Sequence, residues 1–187
     1  MAGVFRTWPW VMALLAGSLQ IRAIDGTVLH PLEPAGVANV LFFIATDCPV
    51  ANAYAPEIQR ICDAYAAKGI ACSLVYEDAT VTAGEVRKHL DEYRYHGVGA
   101  AIDADGSVAA AVHATVTPQA VVVDRFGAVR YSGRIDNLYA ALGHPRRVVT
   151  AHDLQDALNA VVAGKPVVPS ETQTIGCYIV TSDLRRK

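Results

Sequence analysis

Ten residues constrain this chain more than any others. Val37–Thr46 reads VANVLFFIAT, an apolar run of strand length that leaves no polar face. A strand of that kind is buried on both sides, which is the situation of an inner strand in a largely parallel sheet with helices above and below. The next stretch of chain agrees with it. Pro49 suits the first turn of a helix, and apolar residues then recur at Ala55, Ile58, Ile61, Cys62 and Tyr65, with Gly69 closing a predicted helix over residues 52–68.

Strands and helices continue to alternate down the chain. Residues 71–76 form a second short apolar strand, and Thr82 with Glu85 makes a Thr-x-x-Glu capping pattern that opens a helix to about Tyr95. A strand over 99–103 and a short alanine-rich helix over 108–114 come next. Segments 120–124 and 128–132 flank Arg125-Phe126-Gly127 as a hairpin. Residues 137–150, with Gly143, Pro145 and two arginines, read as a surface insertion. A last helix spans 151–163, and a tail with two prolines runs from 164 to 187. Strands alternating with helices and ending in a hairpin predict an α/β sandwich with a mixed sheet of about five strands.

At 187 residues the chain fits one domain. A net charge of −2 gives no basic footprint for nucleic acid, and four cysteines are too few for a disulfide-stapled mini-scaffold. Between Arg6 and Arg22 lie fifteen uncharged residues, TWPWVMALLAGSLQI. The run is short for a membrane span, which takes about 20 residues. A basic residue, a short apolar stretch and then small residues match a secretory leader, so residues 1–22 are read as a signal peptide cleaved near 18–23, with the domain occupying 23–187. The alternative is a retained apolar segment of a cytoplasmic protein. Export, to a periplasm or outside the cell, would let the cysteines form lasting disulfides.

Cys48 stands where the buried strand gives way to the helix. Helix N-terminal N–H groups favour a negative charge, and cysteines there have pKa values of about 3.5–7.5 rather than 8.5. That position makes Cys48 the nucleophile candidate. Asp47 opposes a thiolate by its charge yet could accept a proton, or it simply caps the helix.

Strand, Thr46-Asp47-Cys48-Pro49, helix, and then Thr117-Pro118 before a strand ending at Asp124 resemble the thioredoxin-like redoxins, specifically the alkyl hydroperoxide reductase/thiol-specific antioxidant branch, as found in exported bacterial proteins. The segments that carry this are DCPVANAYAPEI, VTPQAVVVDRFGAVRYSGRID and GCYI. The resemblance implies a three-layer thioredoxin-like sandwich, a cis proline at Pro118 beside Cys48, and thiol chemistry on protein thiols, protein disulfides or peroxide. It implies no cofactor and no metal. Arg134 would then be a candidate to stabilise the thiolate, the alternative being a solvated surface arginine.

Several departures matter. Position 51 is Ala, so the adjacent second thiol of a Cys-x-x-Cys motif is missing. Peroxiredoxins carry threonine three residues before the reactive cysteine, where this chain has Ala45, with Thr46 one place off. Copper chaperones of this fold use Cys-x-x-x-Cys, but position 52 is Asn. Cys62 and Cys72 are expected as core residues, since free cysteine packs as a small hydrophobe. His89 and His96, seven apart, are expected at the surface. That leaves Cys177, the only cysteine outside a predicted element, as the candidate resolving thiol for Cys48. The fourteen residues from Ala163 can span up to roughly 46–50 Å. Redox activity, a permanent structural bridge, and an incidental tail cysteine all stand open. Three functions are compatible with these residues: a thiol–disulfide redox protein, a dedicated peroxidase, or a non-catalytic module that docks to a redox partner or carries copper on Cys48 and Cys177.

Overall fold

The computed structural model describes residues 19–179. Its elements run β1 (Ile21–Arg22), β2 (Val28–Leu29), β3 (Ala38–Ile44), α1 (Pro49–Ala53), α2 (Ala55–Ala66), β4 (Ile70–Tyr76), α3 (Ala83–Glu92) and β5 (Gly99–Ile102). They continue with α4 (Ser107–Val112), β6 (Val116–Thr117), β7 (Gln119–Asp124), β8 (Val129–Gly133), β9 (Tyr139–Ala141), β10 (His144–Pro145), α5 (Asp153–Val162) and β11 (Cys177–Tyr178). The central sheet has five strands in the order β5-β4-β3-β7-β8. β3 sits in the middle, parallel to β4 and antiparallel to β7, and β5 and β8 form the edges.

Every residue of β3 is buried, and its side chains alternate between two apolar layers. Val40, Phe42 and Ile44 meet Val50, Ile58 and Ile61 of the first two helices, Val86 of α3 and Leu154 of α5. Leu41 and Phe43 meet Val108, Ala109 and Val112 of α4 on the other face. The period-2 alternation of one strand thus demands two helical layers, and the chain supplies both. The fold is a thioredoxin-like mixed five-stranded sheet flanked by helices.

Three features differ from the sequence expectations. The predicted helix over 52–68 begins earlier, at Pro49, and is interrupted at Tyr54, which caps both α1 and α2. Pro56 causes the break: it has no N–H to donate to the preceding turn. The folded body also starts before residue 23, because Ile21 and Arg22 pair with Leu29 and Val28. Residues 1–18 of the predicted leader lie outside the described residues.

The third difference is chemical. Cys62 and Cys72 are not merely packed; they form a disulfide with Cα atoms 5.9 Å apart. Cys62 lies on the inward stripe of α2, and the chain turns at Gly69 straight back into β4, which brings the two together. A bridge closing about ten residues contributes roughly 2–3 kcal/mol by the chain-entropy estimate.

The segment 137–150 forms a small exposed hairpin, β9–β10, on the outside of the sheet. Asn137 ties its ends together: its side-chain oxygen accepts from the N–H groups of Thr150 and Ala151 at 2.9 and 3.1 Å.

Candidate active site

Cys48 is the N-cap residue of α1, in extended conformation (φ −81°, ψ 110°), and Pro49 opens the helix. The side chain is 1% exposed. Its neighbours come from two distant parts of the chain. Thr117, before the cis Thr117–Pro118 bond, puts its carbonyl oxygen 3.3 Å from Cys48 Sγ. Cys177, at the start of β11, brings its own Sγ to 2.8 Å, and both cysteines are free thiols.

The tail delivers Cys177 by strand pairing. β11 runs antiparallel to β6 with Cys177 opposite Thr117 and Tyr178 opposite Val116. Gly176 makes this approach possible, since a Cβ at that position would run into the Thr117 carbonyl. Upstream, Gly133 does the same for Thr172, whose hydroxyl meets that of Tyr131 at 2.6 Å. Ser132 N–H donates to Ser170 (2.9 Å), and Thr172 N–H donates back to Ser132 (3.1 Å). Downstream, Ile179 is buried at 6% against the α4 layer. The tail is seated along its length by backbone bonds and two glycine contacts.

The two thiols ionise unequally. Burial alone raises Cys48, but hydrogen bonds from the Cys177 thiol and from the backbone N–H of Ala51 outweigh it, so the Cys48 thiol lies below its ordinary value. Cys177 is pushed up to about 11 by burial, by its hydrogen bond to Cys48 and by the nearby Cys48 charge, with the negative Asp47 adding to the rise. Of the two sulfurs, Cys48 is the one that ionises more readily.

The other predicted residues stand further from the sulfurs. Asp47 is exposed and makes no side-chain cap on α1. Thr46 enters through its backbone carbonyl, which accepts from Asn52. Arg134 is held by Asp153 in a two-point ion pair, Nε–Oδ2 2.8 Å and Nη2–Oδ1 3.1 Å, and is committed to that partner rather than to Cys48. Among the described residues, no group of three or more His, Cys, Asp or Glu side chains is placed to hold a metal ion.

Sequence reasoning missed a buried polar chain beneath the cysteine loop. His89, expected at the surface, is 4% exposed. Asn52 donates through Nδ2 to the Thr46 carbonyl at 3.0 Å, so its carbonyl oxygen faces His89 Nε2 at 2.9 Å. Nε2 therefore carries the proton, and Nδ1 accepts from the Tyr76 hydroxyl at 2.9 Å. Burial lowers the His89 pKa and keeps the ring neutral, as this arrangement needs. Asn52 N–H also donates to the Cys48 carbonyl at 3.0 Å, so the chain braces the loop from both sides. The only sequence signal was a histidine among the sparse apolar positions of a polar helix.

The family profile of the AhpC/TSA family matches residues 27–132, more than half of the chain. The chain belongs to the AhpC/TSA family. Solved structures agree on the fold of this AhpC/TSA member. A hypothetical protein from Sinorhizobium meliloti is 26% identical with a TM-score of 0.75, covering 88% of this chain and 91% of that one. An uncharacterized conserved protein from Geobacillus kaustophilus is 24% identical at TM-score 0.73, covering 87% and 88%. A secreted disulfide oxidoreductase from Mycobacterium tuberculosis, homologous to DsbE of E. coli, is 18% identical at TM-score 0.55, covering 79% and 96%. No curated protein matches the chain significantly. Its structural neighbours thus include thiol–disulfide proteins of the DsbE and DsbF type.

Proposed function

We propose that this protein is a thiol–disulfide oxidoreductase whose redox couple is Cys48 with Cys177, exchanging electrons with the thiols or disulfides of a partner protein. One observation carries the reading: two free thiols 129 residues apart in sequence lie with their sulfurs 2.8 Å apart. A disulfide needs about 2.05 Å, so closing the bond asks for less than an ångström of movement. In the exchange two electrons and two protons pass between the pair and the partner, so that one side's two thiols become a disulfide as the other's disulfide becomes two thiols.

A peroxide is the second reading. The burial of Cys48 suits a small oxidant, whose attack would give a sulfenic acid that Cys177 resolves with loss of water. Two groups count against it: Ala45 supplies no hydroxyl, and Arg134 is tied to Asp153.

Non-reducing peptide mapping of protein oxidised with glutathione disulfide tests the couple. It is expected to join Cys48 to Cys177, and Cys177→Ser is expected to lose multiple-turnover activity. A Cys48 thiol titrating at or above its ordinary value, with no turnover of disulfide or peroxide, would leave only a docking or copper-carrying role.

We also assign the protein to an oxidising compartment outside the cytoplasm, with the leader lying within residues 1–22. The Cys62–Cys72 bridge supports this, because such bonds persist where thiols are not kept reduced. Since Ile21 and Arg22 belong to β1, cleavage is expected on the residue 18 side of the 18–23 window. N-terminal sequencing of mature protein starting at Met1 or Ala2 would refute it.

A further inference from the structure

We infer that Cys177, rather than Cys48, is the sulfur that a partner's thiol meets, and that the protein acts as an oxidant of protein dithiols. This rests on the proposed Cys48–Cys177 couple and adds the direction and the order of its chemistry.

Displacement at a disulfide is in line: the incoming thiolate approaches one sulfur from the side opposite the other. Reaching Cys48 that way means coming from behind it, through the body of the protein. That sulfur is 1% exposed, under Cys177 and beside the Thr117 carbonyl and α1. Cys177 is partly exposed and is the more accessible of the two cysteines. Its flanking residues Gly176 and Tyr178 line an open groove with Thr174 and Leu142. Tyr178 is 85% and Leu142 59% exposed, so a partner that reaches Cys177 has apolar surface on the other face of the same strand to rest on.

The leaving groups argue the same way. Attack at Cys177 expels Cys48, whose charge is received by the Ala51 N–H at the start of α1. Attack at Cys48 would expel Cys177, whose thiol is pushed up to about 11 and is the poorer leaving group.

The sequence of steps then balances. A substrate thiolate attacks Cys177 Sγ, the Cys48–Cys177 bond breaks, and Cys48 departs as a thiolate. The mixed disulfide on Cys177 is attacked, at the substrate's sulfur, by the substrate's second thiolate. A substrate disulfide forms, and Cys177 leaves and takes a proton from solvent. The substrate loses two electrons and the protein disulfide gains them. A second disulfide, such as glutathione disulfide, recharges the protein by exchange. Attack by the reduced pair on any disulfide, a substrate's or the glutathione disulfide that recharges it, falls to Cys177, which is almost wholly protonated at neutral pH, so both are slow beside the forward step.

The test uses the wild-type protein, oxidised with glutathione disulfide and repurified. It is mixed with excess of a single-cysteine peptide, quenched in acid, alkylated and mapped. The expected adduct is on Cys177, with Cys48 alkylated, in an excess of about tenfold or more given the leaving-group difference. An adduct mainly on Cys48, or shared evenly, overturns the inference while leaving the couple intact. Absence of any Cys48–Cys177 bridge before the peptide is added overturns the couple and the inference together. A second arm offers a two-cysteine peptide: oxidation of one peptide per protein supports the dithiol substrate. Faster reduction of the same peptide's disulfide by the reduced protein refutes the direction.

Discussion

The molecule holds two cysteine pairs that meet by opposite routes. Cys62 and Cys72 are ten residues apart, brought together by one helix turning back into the next strand, and they are joined. Cys48 and Cys177 are separated by 129 residues, meet only because a tail strand docks beside a cis proline, and stand as free thiols. The first pair sits between two elements that already pack on one another. The second has a helix N-terminus on one side and a partly exposed strand on the other, so one sulfur is stabilised as an anion and its partner can be reached. Proximity makes a bridge; unequal ionisation and access are what the proposed reactivity of the second pair rests on.

The largest expected effect that separates the pairs is from Cys48→Ser, which should abolish disulfide exchange while leaving the Cys62–Cys72 bridge in non-reducing maps. Residual turnover near the wild-type level would mean that the reactive pair is the other one. Next, the double change Cys62→Ser, Cys72→Ser should cost roughly 2–3 kcal/mol in urea unfolding and leave the exchange rate per folded molecule unchanged. A matching loss of rate would blur the division.

Gly176→Ala presses a Cβ onto the Thr117 carbonyl, so β11 must shift. Overpacking of this kind costs about 1–3 kcal/mol. The expected readout is slower formation of the Cys48–Cys177 bond, with the other bridge unaffected. His89→Ala leaves the Asn52 carbonyl and the Tyr76 hydroxyl without their partner, at a cost of about 1–3 kcal/mol. It should also raise the Cys48 thiol by loosening the Thr46 loop, seen as a shift in the pH profile of alkylation.

The smallest effect is the pH dependence of the reduced protein. Cys48 is lowered on folding, so its contribution is present above the ordinary thiol value of 9.0 and is lost as pH falls through its folded value. Cys177 is raised, so its contribution is present below that value and is lost as pH rises through about 11. The oxidised protein has neither dependence. Urea melts should therefore show the reduced form losing stability relative to the oxidised one at both ends of the range, as pH falls through the folded Cys48 value and as it rises toward about 11, and parallel profiles would contradict the unequal ionisation.

Much of this is legible in the chain itself. The buried run at 37–46, the Thr82–Glu85 cap and the hairpin about Gly127 each declare themselves within a turn or two of chain, because capping, turn geometry and side-chain periodicity are short-range physics. Cys48 is readable for the same reason: its chemistry derives from the residue after it and the strand before it. His89 is not, since nothing near it in sequence announces Asn52 and Tyr76 as partners. Arg134 pairs with Asp153 for a similar reason, through the packing of α5 beside β8.

The tail shows where sequence runs out. Its length and its cysteine allowed a meeting with Cys48, and the Ala at position 51 called for one. Where Cys177 comes to rest depends on the exposed edge of β6, on the bare backbone at Gly133 and Gly176, and on an apolar seat for Ile179. None of those surfaces exists until the sheet has folded. Local pattern determined the elements and the place of Cys48 at the head of a helix; the approach of Cys177, the buried histidine and the closed Cys62–Cys72 bridge were decided by which faces the folded sheet brought together.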